Sequence, residues 1–328
     1  MGRPDVRIIV TGGTITMVPR DNSGIAPALT GADLVAAVPA LSGVAQISVA
    51  TPFLVPGASL SFQHMQQIGR LVDEAIAGGA DGVVVVQGTD TIDETAFLLD
   101  LVHAHDAPVV VTGAMRGAAA AGADGNANLL AAVTVAAAPA ACGLGAVVVL
   151  NDEVHAARLV AKSHSALPSA FASPGYGPLG HVIEGRVRVG LRPSRIEVGL
   201  GSPMPDAAPV AIVSIGLGED ERLLRVVPTL GYRGLVLEGM GAGHLPGNLA
   251  AACGDIARDL PVVLASRVPG GPIFTGTYGF PGSEIDLIGR GLIGAGYLSA
   301  HKARLLLALL LGAGRSRAEI AEAFAKFN

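Results

Sequence analysis

Four short apolar runs limit what this chain can fold into. Residues 6–10, 83–86, 109–111 and 146–150 are rich in β-branched side chains and, Arg7 aside, lack the polar alternation of a strand with one wet face. Such runs read as strands buried on both sides, the mark of a parallel sheet. The stretches between them supply crossovers: 62–76 and 96–102 carry apolar faces at helical spacing, and 128–138 is an alanine-rich helix. A helix capped near Thr30 runs through 34–38, 46–49 is a further strand, and 53–61 is irregular. Strands alternating with helices predict an α/β fold with right-handed connections. The first domain is expected to be flavodoxin-like, with about five central strands.

The alternation restarts late in the chain. Residues 196–208 hold Gly199, Gly201, Pro203 and Pro205 with little periodicity and read as a linker. Beyond them come strands at 210–215, 234–237 and 262–266, a short one near Leu292-Ile293, and closing helices at 300–311 and 316–327. The expected organisation is a larger α/β domain over 1–195, the linker, and a smaller Rossmann-like α/β domain over 209–328. Residues 176–180 and then 182–189 read as a closing hairpin or edge segment, and the polar segment 16–27 as a loop beside the first strand end.

Composition narrows the function. Half of the 328 residues are hydrophobic and 15% are charged, enough for a large core. A net charge of −5, no Lys/Arg run and no Trp argue against nucleic-acid binding. Residues 129–150 carry no charge and have the length of a membrane span, but Pro139, Gly143 and Gly145 break them into a helix and a strand. Cys142 and Cys253 match no zinc spacing and read as buried, unpaired residues. His103 and His105 straddle a helix end, cannot share a helical face, and read as solvated side chains; no metal is expected. Met1 to Asp5 leads straight into a strand without the apolar core of a signal peptide, so the expected address is the cytoplasm. Gly239-Met240-Gly241-Ala242-Gly243 invites a dinucleotide reading. The next strand, however, ends at Ala265-Ser266-Arg267 without the acidic residue that would hold a ribose, which leaves a turn.

Chemistry is concentrated where strands end. The first run exits through Thr11-Gly12-Gly13-Thr14-Ile15, the central one through Gln87-Gly88-Thr89-Asp90-Thr91. Two strand ends thus present threonines beside glycines at the carboxyl edge of a parallel sheet, where open α/β folds bind ligands. A threonine hydroxyl is a poor nucleophile at neutral pH and needs a base or a cation beside it. Lys162, a dozen residues past the strand ending at Leu150, would meet Thr89 and Asp90 if it folded over the sheet edge. Thr89, Asp90 and Lys162 then form a proton-handling group.

These two exits, with Glu94-Thr95-Ala96 after the second, resemble the signatures of the bacterial-type L-asparaginases. The likeness continues through 111–116, Asp124-Gly125 with Asn128-Leu129, Asn151-Asp152, 176–180, 266–269 and Lys302-Ala303-Arg304. The resemblance implies two α/β domains, hydrolysis of a side-chain amide with release of ammonia, no metal or cofactor, and a homotetramer built from intimate dimers. It implies Thr14 as nucleophile, Thr89 as second catalytic threonine, and Asp90 and Lys162 as its polarising partners. Asp90 would also bind the substrate's ammonium group. Ser59, or Ala58 given a one-residue gap, would hold the carboxylate, and Ala114 would offer backbone contacts beside the amide. Glu284 would be lent to the site by a neighbouring subunit. Backbone N–H groups at Gly88 and Thr89 would face the oxyanion. Three departures stand out: residues 16–35 contain no tyrosine, where the family carries one that activates the first threonine, Gln87 stands where many members have His, and Gly218 falls near the position of an Asn that reaches across subunits. The missing tyrosine and Gly218 motivate an alternative in which glutamine or an N-substituted or other small amide is the substrate; in another, the pocket only binds an amino acid.

Overall fold

The computed structural model describes residues 2–20 and 24–328. The chain divides into two compact units, one running to Arg195 and including Gly201–Pro203, the other Ile196–Leu200 with Met204–Asn328. Residues 196–208 are thus shared between the units.

In the first unit the order is β1 (Asp5–Val10), β2 (Met17–Arg20), β3 (Gly24–Pro27), α1 (Gly31–Ala36), α2 (Leu41–Val44), β4 (Gln46–Ala50), α3 (Phe62–Ala77), β5 (Gly82–Val86) and α4 (Ile92–Val102). There follow β6 (Val109–Thr112), α5 (Gly125–Ala136), β7 (Ala146–Leu150), β8 (Glu153–Ala156), β9 (Ala161–Lys162), β10 (Phe171–Ala172), β11 (Gly180–Ile183) and β12 (Arg186–Val189). The main sheet has the order β12-β11-β8-β7-β6-β5-β1-β4. Its parallel part, β4-β1-β5-β6-β7, has the flavodoxin order, with the direction of winding reversed between β1 and β5.

The valine runs explain this sheet. Val6, Ile8, Val10, Val84, Val86, Val110, Val147 and Val149 pack with Leu34, Leu41, Leu129 and Val133 on one face. The alternate residues Ile9, Val83, Val85, Val109, Val111 and Val148 are equally buried and point the other way, where α3 and α4 lie. Each such side chain contributes about 1.5–3 kcal/mol of burial. Residues 129–150 resolve into most of α5, a short turn and β7.

Three elements differ from the reading of the sequence. The segment 16–27 is an antiparallel hairpin of β2 and β3, paired from Met17↔Pro27 to Arg20↔Gly24; the expected loop residues 21–23 lie outside the described residues. Strand β8 is an addition. Asn151 and Asp152, both with positive φ (54° and 59°), turn β7 back on itself in two residues, the geometry that matches strand twist. Helix α5 begins at Gly125 rather than at Asn128.

The second unit holds β13 (Val210–Ser214), α6 (Arg222–Val226), β14 (Gly234–Gly239), α7 (Ala250–Asp259), β15 (Val262–Ser266), α8 (Glu284–Gly289), β16 (Ile293–Gly294), α9 (Ala300–Gly312) and α10 (Arg317–Ala325). Its parallel sheet has the consecutive order β13-β14-β15-β16, without the reversal that opens a dinucleotide crevice. Residues 240–244 close a tight turn, with Met240 and His244 bonded to each other through their backbones and Gly241 and Gly243 at positive φ.

Two polar residues sit otherwise than expected. Cys142 is exposed, whereas Cys253 is buried, which pushes its thiol up to about 12. His103 is not solvated: it is buried, Nε2 lies 2.8 Å from the Ala107 carbonyl, and Nδ1 has no hydrogen-bond partner among the described residues. Burial, with help from Arg195 and His105, lowers its pKa from 6.5 to about 4. Between those values an unfolded chain binds a proton here that the folded chain refuses. Stability from this site is therefore full above pH 6.5 and falls as the pH drops toward 4. Replacing His103 by Gln, which keeps a donor for Ala107, is expected to remove up to about 3 kcal/mol of that acid sensitivity. Urea unfolding of both proteins at pH 7.5 and 4.5 checks it.

Candidate active site

Four glycines decide where the functional loops of the first unit lie. A Cβ on Gly13 would come within 2.2 Å of the Gly88 nitrogen, and one on Gly57 within 2.7 Å of the Gly88 carbonyl oxygen. One on Gly113 would approach the Gln87 oxygen at 2.5 Å. The loops leaving β1, β5 and β6, and the turn Gly57–Ser59, therefore meet backbone to backbone around Gly88, at an approach no other residue permits. The meeting point is the carboxyl end of β1 and β5, where the winding reverses.

The candidate side chains follow from it. Thr14, one residue beyond Gly13, opens a 3₁₀ turn over Thr14–Thr16 and is half-buried. Thr16 holds that turn, its Oγ1 donating to the Gly13 carbonyl at 2.8 Å. Thr89, one residue beyond Gly88, opens a second 3₁₀ turn that runs into α4 and is buried. Ser59 and Ala58 are both exposed on the turn that Gly57 seats against Gly88. Ala114, beyond Gly113, is buried.

Lys162 closes the group. It lies on β9, which pairs with β10 in a two-stranded ribbon. Its Nζ donates to Thr89 Oγ1 at 3.0 Å and to Asp90 Oδ1 at 2.8 Å. The lysine side chain is 18% exposed and that of Asp90 61%, so the ammonium is sheltered while the carboxylate remains open to a solute. A cation held against a buried hydroxyl lowers that hydroxyl's proton affinity.

Glu284 is placed differently. It belongs to the second unit, on α8, and is wholly buried there. Burial opposes its charge, but the N–H groups of Tyr278 and Thr277, at 2.6 and 2.8 Å from Oε1, outweigh it with help from His244 and hold the carboxyl below its usual range. Tyr278 and Phe280 stand edge-on to the His244 ring.

The contacts of the supporting residues escaped the reading of the sequence, although Asp124, Asn128, Asn151 and Gln87 stand in its motifs. Asp124 accepts from the N–H groups of Met115 and Arg116, both at 2.9 Å, instead of capping α5. Asn128 donates to the Gly113 carbonyl at 3.0 Å and accepts from Asn151 N–H at 2.9 Å, so together they clamp the loop that carries Ala114. Buried Gln87 donates to Thr91 Oγ1, which donates to the Gly57 carbonyl, tying two of the loops together. An Asn-Asp pair signals a turn, but nothing local signals these partners.

Two glycines with nearly the same positive φ separate strain from contact. Gly13 and Gly24 have φ of +86° and +85°, but a Cβ on Gly24 meets nothing within 4 Å among the described residues. Gly24→Ala is expected to lose about 1–2 kcal/mol, and Gly13→Ala at least about 3 kcal/mol together with the site. Denaturant unfolding of the two variants measures the difference.

Family models match both parts of the chain: "Asparaginase, N-terminal" over residues 5–195 and "Glutaminase/Asparaginase C-terminal domain" over 209–324. A probable L-asparaginase of Deinococcus radiodurans is 38% identical, covering 98% of this chain and 97% of that protein. An L-asparaginase of Bacillus licheniformis is 36% identical over 93% and 95%. The crystal structure of a probable cytoplasmic L-asparaginase from Campylobacter jejuni superposes with a TM-score of 0.87 at 30% identity, over 98% of this chain and 99% of that one.

Proposed function

Because the chain belongs to the bacterial-type L-asparaginase family, we propose that it hydrolyses the side-chain amide of L-asparagine to L-aspartate and ammonia, with Thr14 and Thr89 as its two working hydroxyls. The observation that carries the assignment of roles is the contact of Lys162 Nζ with both Thr89 and Asp90. Thr14 Oγ1 attacks the amide carbon, and the carbonyl oxygen becomes an oxyanion facing the N–H groups of Gly88 and Thr89. The C–N bond breaks as the nitrogen takes up the proton that Thr14 Oγ1 gives up on attack and leaves as ammonia, which gives an ester on Thr14. A water then attacks the ester carbon and gives a proton to Thr89 Oγ1 as that hydroxyl, polarised by the Lys162 ammonium, hands its own proton on. The C–O bond to Thr14 breaks, the Thr14 oxygen takes up that relayed proton, and aspartate departs.

The ends of the substrate have their own partners in this reading. Asp90 takes the α-ammonium group and Ser59 the α-carboxylate, with the backbone at Ala114 beside the amide. No cofactor takes part in any step. The reading extends to a homotetramer of paired dimers, in which Glu284 of one copy serves the site of its neighbour, its carboxylate also ordering the Thr277-Tyr278 backbone. Light scattering of the purified protein is expected to return the mass of four chains; a monomer would remove Glu284 from the site.

Ammonia release tests the chemistry. L-Asparagine is expected to be turned over faster than L-glutamine. Thr14→Ala and Thr89→Val are each expected to lower kcat by about a thousandfold or more with the fold intact. Lys162→Met should do the same. Asparagine binding without ammonia release by the native protein would revive the amino-acid-binding alternative, and a panel of other small amides would then separate it from hydrolysis of a different substrate.

A further inference from the structure

Lys162 reaches Thr89 from a ribbon whose two strands are only two residues long each, paired as Ala161↔Ala172 and Lys162↔Phe171. So short a ribbon does not hold a lysine within hydrogen-bonding reach by itself. Immediately after β10 comes Ser173, a buried serine whose Oγ lies 3.0 Å from Nδ1 of His155. His155 sits on β8, a strand of the main sheet, and is 1% exposed. Its Nε2 lies 3.2 Å from Oε2 of Glu153 on the same strand. A carboxylate can only accept, so Nε2 carries the proton and Nδ1 accepts from the serine hydroxyl. Burial, against the pull of Glu153, keeps the ring in its neutral form. The result is a directed chain, Ser173 to His155 to Glu153, in which each group has one fitting partner. Its burial leaves no room for a substrate at Ser173, so a second hydrolytic triad is not the reading.

We propose that His155 is a positioning residue for Lys162: by joining Ser173 to Glu153 it fastens the β9–β10 ribbon to the main sheet, at the height where Nζ meets Thr89 and Asp90. The inference rests on the proposed role of Lys162, but the attachment it describes is independent of catalysis. On the opposite strand of the ribbon, Ser163 adds a local tie through its N–H and hydroxyl to the Ala170 carbonyl. That tie closes the ribbon on itself and does not reach the sheet.

The chain allows a clean test, because it contains three lysines, Lys162, Lys302 and Lys326. Lys326 is exposed and Lys302 buried, so they are internal standards for the accessibility of Lys162. The native protein and the variants Ser173→Ala, His155→Leu and His155→Asn are acetylated with an N-hydroxysuccinimide ester, and each lysine's labelling rate is read by peptide mass spectrometry. In Ser173→Ala and His155→Leu, Lys162 should label at least about fivefold faster relative to Lys326, with Lys302 unchanged. kcat for L-asparagine should fall by about ten- to a hundredfold while KM stays within about twofold. His155→Asn, whose side-chain oxygen can accept from Ser173 at the position of Nδ1, should restore both readings most of the way. Unchanged labelling of Lys162 in folded Ser173→Ala overturns the proposal whatever the activity. Faster labelling sustains it even if the native protein releases no ammonia. If His155→Leu does not fold, Ser173→Ala, which removes one oxygen, decides.

Discussion

The contact on which the site depends is between main chains, not side chains. Gly13, Gly57 and Gly88 let three backbone segments touch at the carboxyl end of β1 and β5, closer than any Cβ would allow. Thr14, Ser59 and Thr89 each lie one or two residues from that contact, so their relative positions follow from steric limits. Strain is part of the arrangement: Gly13 has a φ open to glycine and costly to every other residue. The reversal of winding makes such a meeting possible, because loops from adjacent strands leave toward opposite faces of the sheet and open a crevice between them.

A second constraint comes from burial. Strands β5, β6 and β7 and the carboxyl half of β1 are dry on both faces, so their ends are where polar groups first become available. Thr89 is nearly covered, and a covered hydroxyl is a weak acid unless a charge is brought to it. The charge arrives from a distant part of the chain: Lys162 crosses 73 positions of sequence to reach Thr89. A lysine so placed keeps its charge sheltered by the protein, while Asp90, on the open side, holds it in place and stays exposed. Shelter strengthens the interaction between the ammonium and the hydroxyl, and openness lets a substrate arrive.

Legibility in the sequence followed the range of the interaction. Buried β-branched runs announced β1, β5, β6 and β7 because strand burial is written in local composition. Thr30 announced its helix because a cap acts over three residues, here with Asp33 completing the box. Strand β8 was missed because four residues with a Glu and a His carry no strand signature alone; pairing with β7 makes them one. The hairpin of β2 and β3 read as a loop for the same reason. His103 looked solvated because nothing local showed that Arg195 would bond its carbonyl from 92 positions away and help cover it.

By itself the sequence determined the class of fold, the places where strands stop, and the threonine, aspartate and lysine residues available for chemistry. Each of these is a matter of periodicity or of residue type within a short window. Only the tertiary structure decided that Gly13, Gly57, Gly88 and Gly113 are contact residues and not merely turn residues. It also decided that Asp124 and Asn128 clamp a loop, and that Ser173 and Glu153 meet at His155. The physical reason is that these are interactions between backbones or single polar atoms brought together from distant strands. Their energy depends on tenths of an ångström, and residue type alone does not encode a distance.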